Sequence, residues 1–300
     1  MTRRNTPRVS FIGFGEAGQA IASGLREAGI ERIAAWDILF PKSEGERLKV
    51  AGKSMGVRLA NSVADAVAET DMIISAVTAA SSVDAARSVE PHLNGSPYYL
   101  DINSVSPGRK QETAKLLGDK ARYVDVAVVA AIHPGRHRTP LLIAGPHAET
   151  ISPLLNEMEM KLTVVGAQTG QAAAIKMIRS VMIKGMEALS LECFLAAARA
   201  GVLEEVTTSL KNNYPTLDFA KIAEYNLERM ASHGERRAAE MEESAATLRE
   251  LGLDPLMVDS TVKRQREMGA IGKNEKVRSS LKSGRVAMLD AISAATKDRH

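Results

Sequence analysis

Three glycines near the start of the chain have a spacing that suits phosphate binding. The segment VSFIGFGEAGQA places Gly13, Gly15 and Gly18 as G-x-G-x-x-G, directly after an apolar run and at the start of a helical pattern. In this context the first glycine allows a tight turn, the second lets a pyrophosphate approach the backbone, and the third lets the helix pack closely on the strand. The helix N-terminus adds N–H groups and a partial positive charge. The loop residues predicted to bind a dinucleotide are Gly13, Phe14, Gly15, Glu16, Ala17 and Gly18.

A carboxylate follows at the distance expected for ribose recognition. Asp37 comes 19 residues after Gly18, at the end of the apolar run RIAAW. Such a carboxylate accepts hydrogen bonds from the hydroxyls of the adenosine ribose and repels the additional phosphate of NADP. No arginine follows at once, because Ile38, Leu39 and Phe40 occupy the next positions. These residues favour NAD, with NADP possible; the alternative is a nucleotide-free turn in another α/β fold.

Polar residues follow two further runs that are predicted as strands. Val77 and Thr78 end one run at MIISAVT, and Asn103 and Ser104 follow the run PYYLDI. In a doubly wound sheet the carboxyl ends of the strands line the cofactor crevice. We therefore expect Val77, Thr78 and Asn103 to bind the cofactor, and Asn103 and Ser104 to bind the substrate. A role in the turn alone is the alternative for Asn103 and Ser104.

The elements that must position these residues change in character at Gly166. Before it, short β-rich runs alternate with helical patterns, which indicates βαβ units and a parallel sheet with helices on both faces. After it, helices are predicted over 168–200, 202–212, 216–231, 235–251 and 255–270, with Gly201, Gly234 and Gly252 as breaks. The predicted fold class is α/β: a Rossmann doubly wound parallel sheet over residues 1–166, followed by an all-α domain over residues 167–300.

Composition and charge limit the possible partners. The chain of 300 residues is 45% apolar and 25% charged, as in ordinary globular proteins, and its net charge of +3 is too small to indicate a nucleic-acid partner. Eight lysines and arginines lie between residues 263 and 285. We interpret them as a solvated helix face or a loose tail, with an RNA-binding patch as the alternative.

The same composition bears on the cellular compartment. No apolar run is long enough for a membrane span, and no signal-peptide pattern follows the basic N-terminus. The only cysteine, Cys193, cannot form an internal disulfide and is expected to be a small buried apolar residue. We therefore expect a cytoplasmic protein with no membrane, nucleic-acid or metal partner.

The order of the motifs resembles the β-hydroxyacid dehydrogenase family, which includes 3-hydroxyisobutyrate and 6-phosphogluconate dehydrogenases. The motifs are G-x-G-x-x-G, the acid at Asp37, D-x-N-S-x-S-P from Asp101 to Pro107, and G-x-x-x-x-x-K from Gly170 to Lys176. The chain is most similar to the branch that has a distinctive 6-phosphogluconate-dehydrogenase-like C-terminal domain. The resemblance implies an NAD(P)-binding domain, a helical substrate and dimerisation domain, and a homodimer or higher homo-oligomer.

The resemblance also implies that Lys176 is catalytic. Family members have a catalytic lysine on the helix after the Rossmann domain and an asparagine four residues later, where this chain has Ser180. At 100° per residue, Lys176, Ser180 and Glu187 lie within about 40° of one another on an otherwise apolar helix. This polar stripe suits a lysine that acts as general acid and base, with Ser180 binding the substrate or orienting the lysine. The alternative is a surface lysine whose stem covers apolar residues.

Two departures from the family alter the expected substrate. Where family members commonly have Ser-Gly-Gly, whose N–H groups bind the substrate carboxylate, this chain has Val129, Ala130 and Ala131. The next loop contains His133, which is expected to bind an anionic substrate. The family's later lysine–aspartate pair is replaced by SHGERRAAEM, in which His233 is expected to contact the cofactor.

The sequence therefore predicts an NAD(P)-dependent oxidoreductase that transfers a hydride between a nicotinamide and a small anionic hydroxy acid or derivative. Three alternatives remain. One is an imine reductase on the same scaffold, and another is a dinucleotide-binding sensor without turnover. The third is an oxidative decarboxylase of a sugar phosphate, whose phosphate would bind arginines of the two loop and helix segments, namely Arg136, Arg138, Arg236 and Arg237.

Overall fold

The computed structural model describes residues 6–297 of the chain. Contacts divide the chain into two compact units, Met1–Lys176 and Met177–His300. The first unit contains every strand found among residues 6–297, and the last of these strands ends at Gly166, the residue at which the predicted alternation stops.

An eight-stranded sheet forms the centre of the first unit. Its strands are β1 (Val9–Ile12), β2 (Ile33–Trp36), β3 (Arg58–Leu59), β4 (Met72–Ser75), β5 (Tyr98–Asp101), β6 (Arg122–Val128), β7 (Leu141–Ala144) and β8 (Leu162–Gly166). The spatial order is β3-β2-β1-β4-β5-β6-β7-β8. Strands β1 and β4 are buried along their whole length, as expected for parallel strands covered on both faces. The predicted Rossmann architecture is confirmed.

One pair of strands departs from the predicted parallel sheet. Strands β6 and β7 pair antiparallel, whereas all other neighbours in the sheet are parallel. Between them, residues 129–140 form only a short 3₁₀ turn at Arg136–Arg138. A parallel connection needs a crossover of a dozen or more residues, usually through a helix. Since this segment has no such helix, the chain turns back and forms a hairpin.

Six helices cover the sheet: α1 (Glu16–Glu27), α2 (Glu46–Ser54), α3 (Val63–Val67), α4 (Ser82–Val89), α5 (Pro107–Leu117) and α6 (Ala148–Glu157). The start of α5 shows how local sequence fixes a helix end. Oγ of Ser106 accepts a hydrogen bond from the backbone N–H of Arg109 at 3.4 Å, and Pro107 takes the first helical position. The strand-end residues that precede Ser106 are thereby held outside the helix.

The described residues beyond 170 form helices and no strand, which confirms the predicted all-α region. The helices are α7 (Gln171–Ala200), α8 (Leu203–Asn213), α9 (Phe219–Glu250), α10 (Leu256–Ile271), α11 (Glu275–Ser280) and α12 (Arg285–Lys297). The first residues of α7, up to Lys176, belong to the first unit. None of the helices among residues 6–297 is long and apolar enough to cross a membrane.

The predicted break at Gly234 is wrong, because α9 continues through it for 32 residues. A Cβ atom at Gly234 would lie 2.3 Å from the carbonyl oxygen of Gln265 and 2.5 Å from the backbone nitrogen of Gly269. The glycine is therefore required for the close approach of α10, and it does not end a helix. Tertiary packing explains this residue, which local sequence rules interpret as a breaker.

Two further expectations about the second unit are corrected. Cys193 is exposed on α7, whereas the nearby residues Leu191 and Phe194 are buried. The basic segment 263–285 is not a loose tail, because it lies in α10, α11 and the start of α12. Its ion pairs with acidic side chains fit the expected solvated helix face: Arg264 with Glu192, Arg266 with Glu242, Lys273 with Glu235 and Arg285 with Glu204.

Candidate active site

The glycine loop follows β1 and opens α1, as the motif requires. Gly13 has φ +88°, and a Cβ atom there would lie 2.5 Å from the carbonyl oxygen of Ala76. A Cβ atom at Gly18 would lie 2.7 Å from the carbonyl oxygen of Gly13. The first and third glycines are therefore required by the turn itself and by the packing of helix on strand, whether or not a ligand is bound.

The second glycine differs, because the protein alone does not require it. A Cβ atom at Gly15 would meet no atom within 4 Å, so the space above it is open. Gly15 is also the N-cap of α1 and provides no side-chain cap for the N–H groups of the first turn. Open space above uncapped N–H groups fits the phosphates of a dinucleotide. Only the backbone of Phe14 can take part, since its ring is fully buried in the core, whereas Glu16 is exposed and Ala17 half-buried.

Asp37 lies at the end of β2 and is bonded to the glycine loop. The backbone N–H of Phe14 donates to Oδ2 of Asp37 at 2.7 Å, and that of Leu39 donates to Oδ1 at 2.9 Å. A carboxylate oxygen accepts two hydrogen bonds, so each oxygen retains a lone pair for a ribose hydroxyl. Asp37 therefore fixes the shape of the loop and can also contact a nucleotide.

Asn103 joins the ends of β4 and β5. Its Oδ1 accepts from the backbone N–H of Val77 at 2.7 Å, and its Nδ2 donates to Oγ of Ser75 at 3.0 Å. The side chain is 4% exposed. Asn103 thus shapes the strand ends through its side chain, while Val77, half-buried, and Thr78, exposed, lie at the same edge of the sheet.

Lys176 and Ser104 are in direct contact. Nζ of Lys176 donates to Oγ of Ser104 at 2.6 Å, and both side chains are partly exposed. Ser104 follows β5, which is parallel to β4 and, through it, to β1. The amine and the glycine loop therefore lie at the same edge of the sheet, within the first unit. The structure thus brings together the predicted lysine and one of the two predicted strand-end residues.

The three other predicted site residues, Ser180, His133 and His233, differ in their exposure. His133 is exposed in the loop after β6, and His233 is exposed on α9 in the second unit. Ser180 is 6% exposed, and its Oγ accepts from Nζ of Lys184 at 3.1 Å. The roles of Ser180, His133 and His233 at the site stay predictions.

A buried charged cluster below the site was not foreseen in the sequence. Lys110 of α5, which is 1% exposed, has its Nζ 3.1 Å from Oδ1 of Asp101 and 3.7 Å from Oδ1 of Asp125. The sequence could have indicated a buried lysine, because Lys110 shares a helix face with Thr113 and Leu117, which are also buried. Two aspartates in adjacent apolar strands also indicate buried charges, since Asp101 ends β5 and Asp125 lies within β6.

Family comparisons agree with this geometry. The model described as the NAD binding domain of 6-phosphogluconate dehydrogenase matches residues 8–166, and the model described as domain of unknown function DUF1932 matches residues 197–268. The first match contains the whole glycine loop, Asp37 and the strand ends. A nicotinamide dinucleotide, NAD or NADP, is thus confirmed as the cofactor of the family.

Solved structures extend the comparison. A conserved hypothetical protein from Sinorhizobium meliloti 1021 is 36% identical, with 97% of each chain covered and a TM-score of 0.78. The conserved protein MTH1747, described as similar to 3-hydroxyacid dehydrogenases, is 31% identical over 88% of this chain and 97% of its own, with a TM-score of 0.71. An imine reductase variant from Myxococcus stipitatus in complex with NAD+ is 23% identical over 96% of this chain and 99% of its own, with a TM-score of 0.58, which concerns the fold alone.

These matches confirm the resemblance to 3-hydroxyacid dehydrogenases that the motifs predict. The family model covers more than half of the chain, and the Sinorhizobium meliloti protein and MTH1747, both more than 30% identical, cover 97% and 88% of it. The chain belongs to the family defined by the NAD-binding domain of 6-phosphogluconate dehydrogenase.

Proposed function

We propose that this protein is a dehydrogenase that uses NAD to oxidise the alcohol carbon of a small anionic hydroxy acid or derivative, with Lys176 as general acid and base. The observation that supports it most directly is the 2.6 Å contact between Nζ of Lys176 and Oγ of Ser104, at the sheet edge that contains the glycine loop. A bound nicotinamide would supply the hydride acceptor.

Lys176 handles the proton in this reaction. Its unprotonated amine takes the proton of the substrate hydroxyl as the hydride leaves the same carbon, and in the reverse direction the ammonium returns that proton to the carbonyl oxygen. Ser104, which accepts a hydrogen bond from the amine, orients it toward the substrate. A general acid–base of this kind contributes about 10²–10⁴-fold to a rate.

The ion pairs of the candidate phosphate-binding arginines argue against a sugar phosphate as substrate. The four arginines considered for a phosphate each pair with an acidic side chain: Arg136 with Glu27, Arg138 with Glu159, Arg236 with Glu240 and Arg237 with Glu187. A cation already paired with a carboxylate attracts a phosphate only weakly. The decarboxylase alternative therefore has less support than a dehydrogenase of a small hydroxy acid.

A substrate screen tests this proposal. Hydroxy acids are offered with NAD, and cyclic imines with NADH, while absorbance at the NADH band is followed. Turnover of a hydroxy acid supports the dehydrogenase. Turnover of imines alone assigns an imine reductase, and tight NADH binding without any turnover assigns a sensor.

Variants of α7 test the lysine. Lys176→Ala should lower kcat by about 10²–10⁴-fold on whichever hydroxy acid the screen finds. NADH affinity, measured by fluorescence, should stay unchanged, because the loop and Asp37 hold the cofactor. Lys176→Arg should not rescue, since a guanidinium stays protonated. Arg179→Ala, at an exposed position of the same helix, is the control. Retention of more than a tenth of wild-type kcat by Lys176→Ala would refute the catalytic role.

A further inference from the structure

The turn that presents Ser104 is built on a buried aspartate. Oδ1 of Asp101, at the end of β5, accepts from the backbone N–H of Asn103 at 2.9 Å. Its Oδ2 accepts from the hydroxyl of Tyr123 at 2.9 Å, and Asp101 is fully buried. Burial, and then the neighbouring acids, raise the pKa of Tyr123, so the phenol stays a neutral donor. The carboxylate of Asp101 therefore fixes the backbone immediately before Ser104.

The first turn of the helix that contains Lys176 is built on a second buried aspartate. Oδ2 of Asp125, on β6, accepts from the backbone N–H groups of Gly170, Ala172 and Ala173 at 3.0, 3.0 and 3.2 Å. These groups begin α7, whose unpaired N–H groups and partial positive charge favour a carboxylate at this end. Asp125 thereby anchors the helix one turn before Lys176.

The two aspartates are neighbours, and one ammonium group separates them. Asp101 and Asp125 are opposite each other in the pairing of β5 and β6, and both are fully buried. Two buried carboxylates repel each other unless a cation lies between them. Nζ of Lys110 takes that place, and it also donates to the backbone carbonyl oxygens of Asp101 at 2.6 Å and Val126 at 3.4 Å. Oδ1 of Asp125 has no hydrogen-bond donor among the described residues.

We propose that Lys110 is a positioning residue of the active site, whose buried ammonium fixes the distance between the two aspartates that hold Ser104 and Lys176. This inference rests on the proposed function of Lys176. Lys110 touches neither substrate nor cofactor in this role. It acts because one carboxylate holds the turn before Ser104, the other holds the start of α7, and the ammonium binds both.

The charge balance predicts how a variant without the ammonium responds to pH. Burial raises the pKa of Asp125, and Lys110 is the main charge that opposes this effect. Without Lys110 the pKa of Asp125 rises further. A proton on its Oδ1 can then take the place of the ammonium between the carboxylates. The folded variant binds this proton more tightly than the unfolded chain, so its stability and its site geometry should improve as pH falls.

The experiment compares Lys110→Met with wild type between pH 6 and pH 9. At pH 8, kcat should fall by about 10–100-fold, since a misplacement of about 1 Å in a catalytic group costs up to about 100-fold. NADH affinity should change less than twofold. The ratio of wild-type to variant kcat, taken at the same pH, should shrink as pH falls. Lys115→Met, at an exposed position of α5, should match wild type throughout.

A double variant separates positioning from general loss of structure. In Lys110→Met/Asp125→Asn the neutral amide stands in for the protonated carboxyl, so kcat at pH 8 should exceed that of Lys110→Met, and its ratio to wild type should not change with pH. A Lys110→Met protein that keeps kcat within threefold at pH 8, or shows a pH-independent loss, overturns the proposal. If Lys110→Met does not fold, the double variant is used for the test. If the double variant does not fold either, Lys110 is needed for the fold alone, and the proposal is overturned.

Thermal melting distinguishes this proposal from the proposed function. The deficit in melting temperature of Lys110→Met should shrink from pH 9 to pH 6, and this measurement needs no substrate. If wild type turns over no hydroxy acid, the proposed dehydrogenase is refuted, whereas the melting temperatures still test the role of the Lys110 ammonium. A constant melting deficit would refute the role of Lys110 while turnover by wild type still supports the dehydrogenase.

Discussion

Each unit buries a group of charges, and the two groups have different partners. In the first unit the carboxylates around Lys110 accept mainly from backbone N–H groups of a turn and a helix start. In the second unit Glu187 of α7 accepts from side chains, namely Nε of Arg237 on α9 at 2.9 Å and Nε2 of Gln265 on α10 at 2.7 Å. One group fixes local backbone beside a site, and the other joins three helices.

A second ion pair extends the group in the helical unit. Nζ of Lys184 lies 2.9 Å from Oε2 of Glu240, and Lys184 is 5% exposed. Burial lowers the pKa of Lys184, and the charge of Glu240 opposes this shift. Buried ion pairs add little net stability but strongly favour the arrangement in which each charge has its partner. The comparison shows that the hydrogen-bond partners of a buried ion, rather than its charge, determine whether it stabilises the backbone of a site or the packing of helices.

The largest expected effect concerns the helical group. Glu187→Leu removes the carboxylate that accepts from Arg237 and leaves the buried guanidinium only the charge of Glu240, which Lys184 already pairs with, so the free energy of unfolding of the second unit should fall by about 3–5 kcal/mol. Urea unfolding followed by far-ultraviolet circular dichroism measures it. Glu187→Leu/Arg237→Leu should recover much of the loss, because an apolar pair replaces a charged one. Glu192→Leu, which removes an exposed ion pair with Arg264, should change stability by about 0–1 kcal/mol. Equal losses in all three variants would contradict this account.

The next effect concerns Asp37, a buried carboxylate held by the backbone N–H groups of Phe14 and Leu39. Asp37→Asn removes the charge that repels the 2′-phosphate of NADP, and Asp37→Ala also removes the bonds to a ribose hydroxyl, each worth about 1.5–3 kcal/mol when charged. Both variants should narrow the preference for NAD over NADP. Isothermal titration with each cofactor is the measurement. A wild-type protein that prefers NADP by tenfold or more would show that this interpretation of Asp37 is wrong.

The smallest effect concerns His137, a buried side chain that, unlike the two buried groups of charges, lacks a close counter-charge. His137 is 3% exposed, and Nε2 lies 3.9 Å from Oε2 of Glu159. Burial and the charges of Arg138 and Arg136 lower the pKa of His137, against the opposing charges of Glu159 and Glu27. The neutral ring is therefore favoured in the folded state, and its stabilising contribution is present above pH about 6.5 and lost as pH falls below it.

Melting temperatures between pH 7.5 and 5 test this assignment. His137→Leu should lose less stability than wild type over that range, since leucine has no proton to bind. Glu159→Gln should lose more than wild type, because a neutral amide no longer favours the charged ring. Parallel curves for wild type and His137→Leu would contradict a neutral, buried His137.

Much of the first unit follows from short segments of sequence. The alternation of β-rich runs and helical patterns predicts the sheet and its end at Gly166, and the G-x-G-x-x-G spacing predicts the loop that the structure forms. These features depend on residues within one βαβ unit, where periodicity and glycine conformation act locally. The hairpin of β6 and β7 was missed because pairing direction depends on what the connecting segment forms.

The contact of Lys176 with Ser104 lies at the limit of sequence reasoning. Each residue is predicted separately for the site, one from the family motif and one from its place after β5. Their 2.6 Å contact joins positions 72 residues apart in the chain. The continuity of α9 through Gly234 is a similar case, since only the neighbouring α10 explains why a glycine stands there.

Sequence by itself determined the α/β class, the helical second half, the nucleotide loop and the lysine helix, because each depends on neighbours along the chain. Tertiary structure alone decided the partners of the buried charges. Lys110 lies 9 residues from Asp101, whereas Asp125 lies 45 to 48 residues from the helix start that it holds. A charge in an apolar face shows only that a partner must exist. Which partner it has depends on which strands and helices the folded chain places side by side.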